Sequence, residues 1–229
     1  MLNHLDMHKI LTALQHGFRN GFSCETQLLV TLHDLMKNRD NKIQTDVAIL
    51  DFSKAFDTVP HDKLLYKLRH YGITGDILDW ISVFLKMREQ RVVVDGKGSN
   101  WVHVDSGVPQ GTVLGPLLFL IFINDLPECI SNESTVRLFA DDCIMYRKIK
   151  TIYDQIAFQK DLDNLKEWAD KWGMKFNASK CEVMKIDHSH STLEKFYKIN
   201  GQVLKEVDKT KYLGIMISND LSWTHKCSM

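Results

Sequence analysis

The stretch RLFADDCIMY sets two aspartates, Asp141 and Asp142, side by side between the apolar runs VRLF and CIMY. A third, Asp51, closes the core-type run VAILD. On a regular strand neighbouring side chains point to opposite faces, so only a tight turn lets both members of the pair crowd toward one edge. Aspartate is an ordinary turn former, and the dipeptide alone fits a plain hairpin turn. The context is less ordinary. The turn has no glycine, Leu138 and Phe139 precede it, and Cys143, Ile144, Met145 and Tyr146 follow without polar padding. Two like charges pinned there repel each other and resist desolvation unless a cation compensates. If the strand ending in Asp51 lies beside those flanking the pair, three carboxylates converge. That donor set suits Mg²⁺, a hard ion that prefers oxygen and often binds substrate phosphates. Two such ions about 4 Å apart stabilise the attacking and leaving oxygens of an in-line phosphoryl displacement. On these residues alone a two-metal phosphatase or nuclease fits as well as any other phosphoryl-transfer enzyme.

The elements that must position these acids follow from periodicity. Residues 1–40 read as mostly helical with a break at GFRNGFS; Leu28, Leu29, Leu32 and Leu35 fall near helical spacing. VAILDF is a buried strand, followed by an amphipathic helix over DKLLYKLRHYG that Gly72 stops and whose first turn Pro60 fits. ILDWISVFLKM is a second helix. RVVVDG and WVHVDSG predict a hairpin around GKGSN. A glycine-rich loop then enters a helix that is apolar all round and therefore central. After the Asp-Asp hairpin comes an amphipathic helix over about 156–171, with Phe158, Leu162, Leu165 and Trp168 on one stripe. CEVMKI is a strand, and KFYKINGQVL and KYLGIMIS supply short antiparallel strands. Helices between antiparallel strands give an α+β architecture, with one sheet face covered and the other open to a long ligand.

Composition narrows less. Of 229 residues 44% are hydrophobic, enough for a substantial core, and 29 basic residues balance 29 acidic ones. Net neutrality neither supports nor excludes a nucleic-acid partner, because the field in a groove is what counts. The five cysteines are scattered without a CxxC pair, and HLDMH lacks the glutamate of HExxH, so zinc sites are not indicated. The longest apolar run, VLGPLLFLIFI, is too short to span a membrane, and the front of the chain has no signal-like core. An intracellular setting, nuclear or cytoplasmic, is the expectation.

LDFSKAFDTVPHDKLL, SGVPQGTVLGPLLFLIFINDL and RLFADDCIMY, in this order, closely resemble the consecutive core motifs of reverse transcriptases, in the variety carried by LINE-type retrotransposons without long terminal repeats. QHGFRNGFSCETQL before them, and WADKWGMKFNASKCEVM with KYLGIMIS after them, agree. The likeness covers about residues 15–218. It implies a right-hand polymerase palm, an antiparallel sheet backed by helices, with partial fingers and the thumb essentially absent. The implied segments of one partial domain over 1–229 are fingers at 1–45, a first palm segment at 46–72, a fingers-like insertion at 73–105, the main palm at 106–210, and a primer-grip hairpin with the start of the thumb connection at 211–229.

The resemblance also assigns roles. Asp51, Asp141 and Asp142, with the backbone carbonyl of Phe52, would hold two Mg²⁺ ions, for which Mn²⁺ is a possible substitute. Phe56 would lie under the sugar of the incoming dNTP and exclude a 2′-hydroxyl. Gln110 and Gly111 would touch the nascent pair and the RNA template. Lys180 matches a lysine proposed to protonate the leaving pyrophosphate, and Arg19 would contact template or nucleotide. Tyr212, Leu213 and Gly214 would grip the DNA primer, while Trp223 and His225 begin a further family segment. The implied activity is RNA-directed DNA polymerisation, with the remaining fingers, thumb and endonuclease belonging to a longer polyprotein. A non-catalytic retroelement remnant, and a two-metal phosphatase or nuclease, are the alternatives.

Overall fold

A computed structural model describes residues 1–186 and 196–222, so Trp223 and His225 lie outside the described residues. The chain opens with α1 (Leu2–Met7) and, after an irregular stretch, α2 (Cys24–Asp40), whose start Ser23 and Thr26 cap reciprocally. β1 (Gln44–Leu50) leads through the one-turn α3 (Ala55–Thr58) into α4 (His61–His70) and α5 (Gly75–Lys86). Four two-residue strands follow: β2 (Glu89–Gln90), β3 (Val93–Val94), β4 (Lys97–Gly98) and β5 (Val102–His103). α6 (Leu114–Ile123) and a 3₁₀ turn (Leu126–Cys129) precede β6 (Ser134–Phe139) and β7 (Asp142–Ile149). Then come α7 (Ile152–Trp172) and β8 (Glu182–Ile186). The last strands are β9 (Lys198–Ile199), β10 (Gln202–Val203), β11 (Lys205–Glu206), β12 (Lys209–Tyr212) and β13 (Ile215–Ser218).

The central sheet has the order β11-β8-β1-β7-β6. β1 runs antiparallel to both β7 and β8, and β6 pairs antiparallel with β7, but β11 runs parallel to β8. The sheet is thus mixed rather than wholly antiparallel. β11 reaches the edge only after the separate β9–β10 hairpin, and such a crossover lets a strand return parallel.

Alternation along β1 feeds two cores. Ala48 and Leu50 join a cluster with α4, α5, α6 and α7, in which the whole segment from Leu118 to Ile123 is buried. Val47 joins a second cluster with Leu32 and Leu35 of α2 and Tyr212 and Ile217 of the β12–β13 hairpin. The second face is therefore covered, not open. The apolar residues at alternate positions of β1, β7 and β8 demanded a lid, and α2 and the terminal hairpin supply it.

Three other expectations shift. The break in the first forty residues extends from His8 to Ser23, because part of it runs alongside β6 as a parallel bridge between Gln15 and Leu138. α7 begins at Ile152, four residues early, where Thr151 and Asp154 form a capping box. The tight turn of the insertion falls at Asp95–Gly96, with φ of 50° and 78°, rather than at GKGSN; Asp-Gly is the dipeptide a two-residue hairpin favours. Among the described residues no helix is long and apolar enough to cross a membrane.

Candidate active site

β1 and the β6–β7 hairpin deliver the acids to one end of the sheet. The register pairs Leu50 with Cys143, so Asp51, one residue beyond, stands across the seam from Asp142. Phe139 pairs with Asp142, leaving Ala140 and Asp141 as the two turn residues. Ala140 takes φ of 53°, which a residue with a side chain adopts at some cost in strain. The loop after β1 is held from the other side. The Asn177 amide donates to the Asp51 carbonyl at 2.8 Å and the Ser53 amide to the Lys175 carbonyl at 2.8 Å. Phe52, buried, stacks on Phe176 with ring centroids 4.2 Å apart.

The charges feel one another. Burial, then Asp141, then Asp51 push the Asp142 carboxyl up to about 6. Burial also raises that of Asp141, helped by the charge of Asp51 and partly offset by a backbone hydrogen bond. Lys180 Nζ stands 3.8 Å from Asp51 Oδ2, with both side chains largely in solvent. Among the described residues no group of three or more His, Cys, Asp or Glu side chains is gathered tightly enough to hold a metal ion by itself. The donor chemistry nonetheless suits a divalent cation: three carboxylates supply hard oxygen donors, with the Lys180 ammonium beside Asp51.

The remaining candidates each have defined surroundings. Phe56 stacks on Phe119 at 4.3 Å and takes the edge of Phe18 at 6.3 Å, so its ring is fixed on two sides. Gln110 Nε2 donates to Asp57 Oδ1 at 3.0 Å on the rim of an open cavity of about 680 Å³ that also meets Lys54 and Arg88. Gly111 takes φ of 75° with open space where a Cβ would point. Gly107 and Gly115 serve packing: a Cβ would come within 2.8 Å of the Asp57 carbonyl oxygen and 2.1 Å of the Pro109 carbonyl oxygen, respectively. β12 and β13 meet at Leu213 and Gly214, with φ of 46° and 88°, the sign pattern of a type I′ turn. Tyr212 beneath them is buried, and its hydroxyl accepts from Gln27 Nε2 at 3.0 Å. Burial raises the Tyr212 hydroxyl, and Cys143 and Asp142 add to it, so this hairpin lies within electrostatic reach of the aspartate turn. Arg19 instead turns back on its own loop, donating to the Thr12 carbonyl at 2.6 Å and lying over Phe22.

Two residues that sequence reasoning passed over belong to this region. Gln15 bonds to both polar atoms of the Ala140 backbone, and Asp57 orients Gln110. No periodicity marks either one. Gln15 opens the QHGFRNGF block and Asp57 lies within LDFSKAFDTVPHDKLL, but neither residue type is unusual there, and tertiary contact gives each its partner.

The description "Reverse transcriptase (RNA-dependent DNA polymerase)" belongs to the family model that matches residues 1–217. The RNA-directed DNA polymerase from mobile element jockey of Drosophila melanogaster is 30% identical over 226 residues, covering 96% of this chain and 24% of the relative. The Pol polyprotein from type-2 retrotransposable element R2DM of the same species is 28% identical over 220 residues, covering 88% of this chain and 20% of its own length. The chain thus spans about a quarter of the length of its jockey relatives. Among solved structures, apo telomerase from Candida tropicalis superposes with a TM-score of 0.63 at 12% identity, over 95% of this chain and 38% of that one; the likeness is one of fold. The ordered motifs, the acid-bearing end of the sheet and the family match fall on the same residues: the chain belongs to the reverse transcriptase family, with relatives among the polymerases of LINE-type retrotransposons.

Proposed function

We propose that this chain is the core of an RNA-directed DNA polymerase, which adds dNTPs to a DNA primer 3′-hydroxyl on an RNA template. One observation carries the reading: the register brings Asp51 and the Asp141–Asp142 turn to the same end of the sheet, inside the residues that match the family. Asp51, Asp141, Asp142 and the Phe52 carbonyl are the groups that would hold two Mg²⁺ ions, or Mn²⁺ in their place, whose chemistry is to acidify the primer hydroxyl and neutralise the departing pyrophosphate. The chain's own part is to orient and exclude. Phe56, backed by Phe119 and Phe18, cannot swing away and so excludes a ribose 2′-hydroxyl. Gln110, steadied by Asp57, and the uncrowded backbone of Gly111 present a surface to the nascent pair and template. Lys180, beside Asp51, sets an ammonium where negative charge develops on the leaving group. The turn at Leu213 and Gly214 meets the primer end, and Arg19 stiffens the template-side loop rather than touching phosphate first.

In this reading residues 1–45 and 73–105 serve as parts of the fingers, 46–72 and 106–210 as the palm, and 211–229 as the primer grip leading to a thumb. Further fingers, thumb and endonuclease regions would come from a longer polyprotein, acting inside the cell. Primer extension on an RNA template with dNTPs and Mg²⁺ tests the proposal. Product from the intact chain and none from Asp141→Asn is the expected result. Template hydrolysis without extension would transfer the site to a nuclease, and neither product, even with flanking regions of a relative added back, would mark a non-catalytic remnant.

A further inference from the structure

We propose that Gln15 is a positioning residue: its side-chain amide holds the Ala140–Asp141 turn in the one backbone conformation that presents both aspartates. This rests on the polymerase reading and extends it to a residue outside the acid set. Gln15 Oε1 accepts from the Ala140 amide at 2.8 Å, and Gln15 Nε2 donates to the Ala140 carbonyl at 3.1 Å. The side chain therefore pairs with the turn as a neighbouring strand would, using both polar atoms of one residue. Its own geometry is fixed in turn. Gly17 donates its amide to the same Oε1 at 2.7 Å, and Gln15 is 2% exposed. The backbone beside it is tied to β6, with the Leu138 amide donating to the Leu14 carbonyl and the His16 amide to the Leu138 carbonyl, each at 2.9 Å. Gly17 sits so close that a Cβ there would lie 2.2 Å from the Ala140 nitrogen.

The bonded atoms flank the torsion that matters. Ala140 holds φ of 53°, and Asp141 and Asp142 follow without an intervening residue. A residue with a Cβ stays there only when its surroundings over-determine it. Without the amide, the turn is free to relax toward negative φ, and both carboxylates move with it. Groups that orient metal ligands from behind typically alter metal affinity by about 10-fold to 100-fold when removed.

The test uses the intact chain and Mn²⁺ binding followed by electron paramagnetic resonance, well below the unfolding midpoint. Gln15→Met, which keeps the side-chain volume and removes the hydrogen bonds, should weaken Mn²⁺ binding by about 10-fold or more while far-ultraviolet circular dichroism stays unchanged. Ala140→Gly should recover most of that loss in the double variant, because glycine adopts a positive φ without strain. A folded Gln15→Met that binds Mn²⁺ like the parent, or a loss that Ala140→Gly leaves untouched, would overturn the assignment alone. A parent chain that binds no Mn²⁺ would overturn the polymerase reading and this assignment with it. Should Gln15→Met not fold, hydrogen exchange on the parent decides: a protected Ala140 amide is expected, and exchange at the rate of an open turn would refute the clamp.

Discussion

Asp142 shows how the proposed catalytic arrangement works against stability. Its carboxyl, raised to about 6 in the folded chain, holds a proton between roughly pH 4 and 6 that the unfolded chain has released. Stability from this group therefore falls as pH climbs through that window, and at pH 7 the charged form carries the full repulsion. Asp142→Asn should abolish primer extension yet raise the thermal midpoint in the absence of divalent ions. Because the side chain is partly in solvent, the gain should be only about 1 kcal/mol, read by calorimetry against the parent. Added Mg²⁺ should narrow the difference. Phe56→Ala, by contrast, should admit ribonucleotides, measured as rNTP incorporation relative to dNTP; an unchanged ratio would remove the gate. The acids and Gln110 drew attention as polar residue types in segments whose neighbours serve packing, whereas Phe56 was singled out only by the family resemblance. Gln15 was not legible, since its role lies in an amide reaching a peptide bond 125 positions away.

At the scale of elements, the order of the main helices and strands followed from apolar spacing, but their lengths, edges and coverings did not. The sequence showed α6 to be central because no face of it is polar. It did not show that α2 and the β12–β13 hairpin would close the second face, because the leucines of α2 could have packed on either side. Nor did it mark Lys67, which lies inside the amphipathic pattern of α4 yet is buried beneath three rings, with Nζ 3.7 Å from the Trp172 centroid and paired to Asp125. Burial lowers its ammonium to about 8, against an opposing pull from Asp125. Between pH 8 and the ordinary lysine value near 10.5, the unfolded chain keeps a proton that the folded chain has lost, so stability rises with pH across that window. Denaturant titrations should show the parent gaining on Lys67→Met between pH 8 and 10, by up to roughly 3 kcal/mol. A flat difference would mean that the folded ammonium is not the strained form.

The whole molecule carries no net charge, yet the proposed substrate is a polyanion. Attraction must then come from the local arrangement of basic side chains, not from overall charge. Primer–template affinity should fall with salt, with a log–log slope shallower than about −4, in a fluorescence anisotropy series at several salt concentrations. A steeper slope would mean that more basic side chains reach the phosphates at once. Resemblance to the family was legible across nearly the entire chain, whereas the electrostatic setting of the acids required the strands to be seen side by side.

The bond from Gln15 to Ala140 also has a consequence in time. During synthesis at about 5–20 residues per second, the front stretch leaves the ribosome some 6–25 seconds before its partner exists. It must wait, unframed, while β1, five α-helices, the insertion and β6 emerge between them. The acidic turn can be set only when the Gln15 stretch and the β6–β7 hairpin close on each other. The proposed metal site should thus form no earlier than the moment at which Ala140 clears the ribosome.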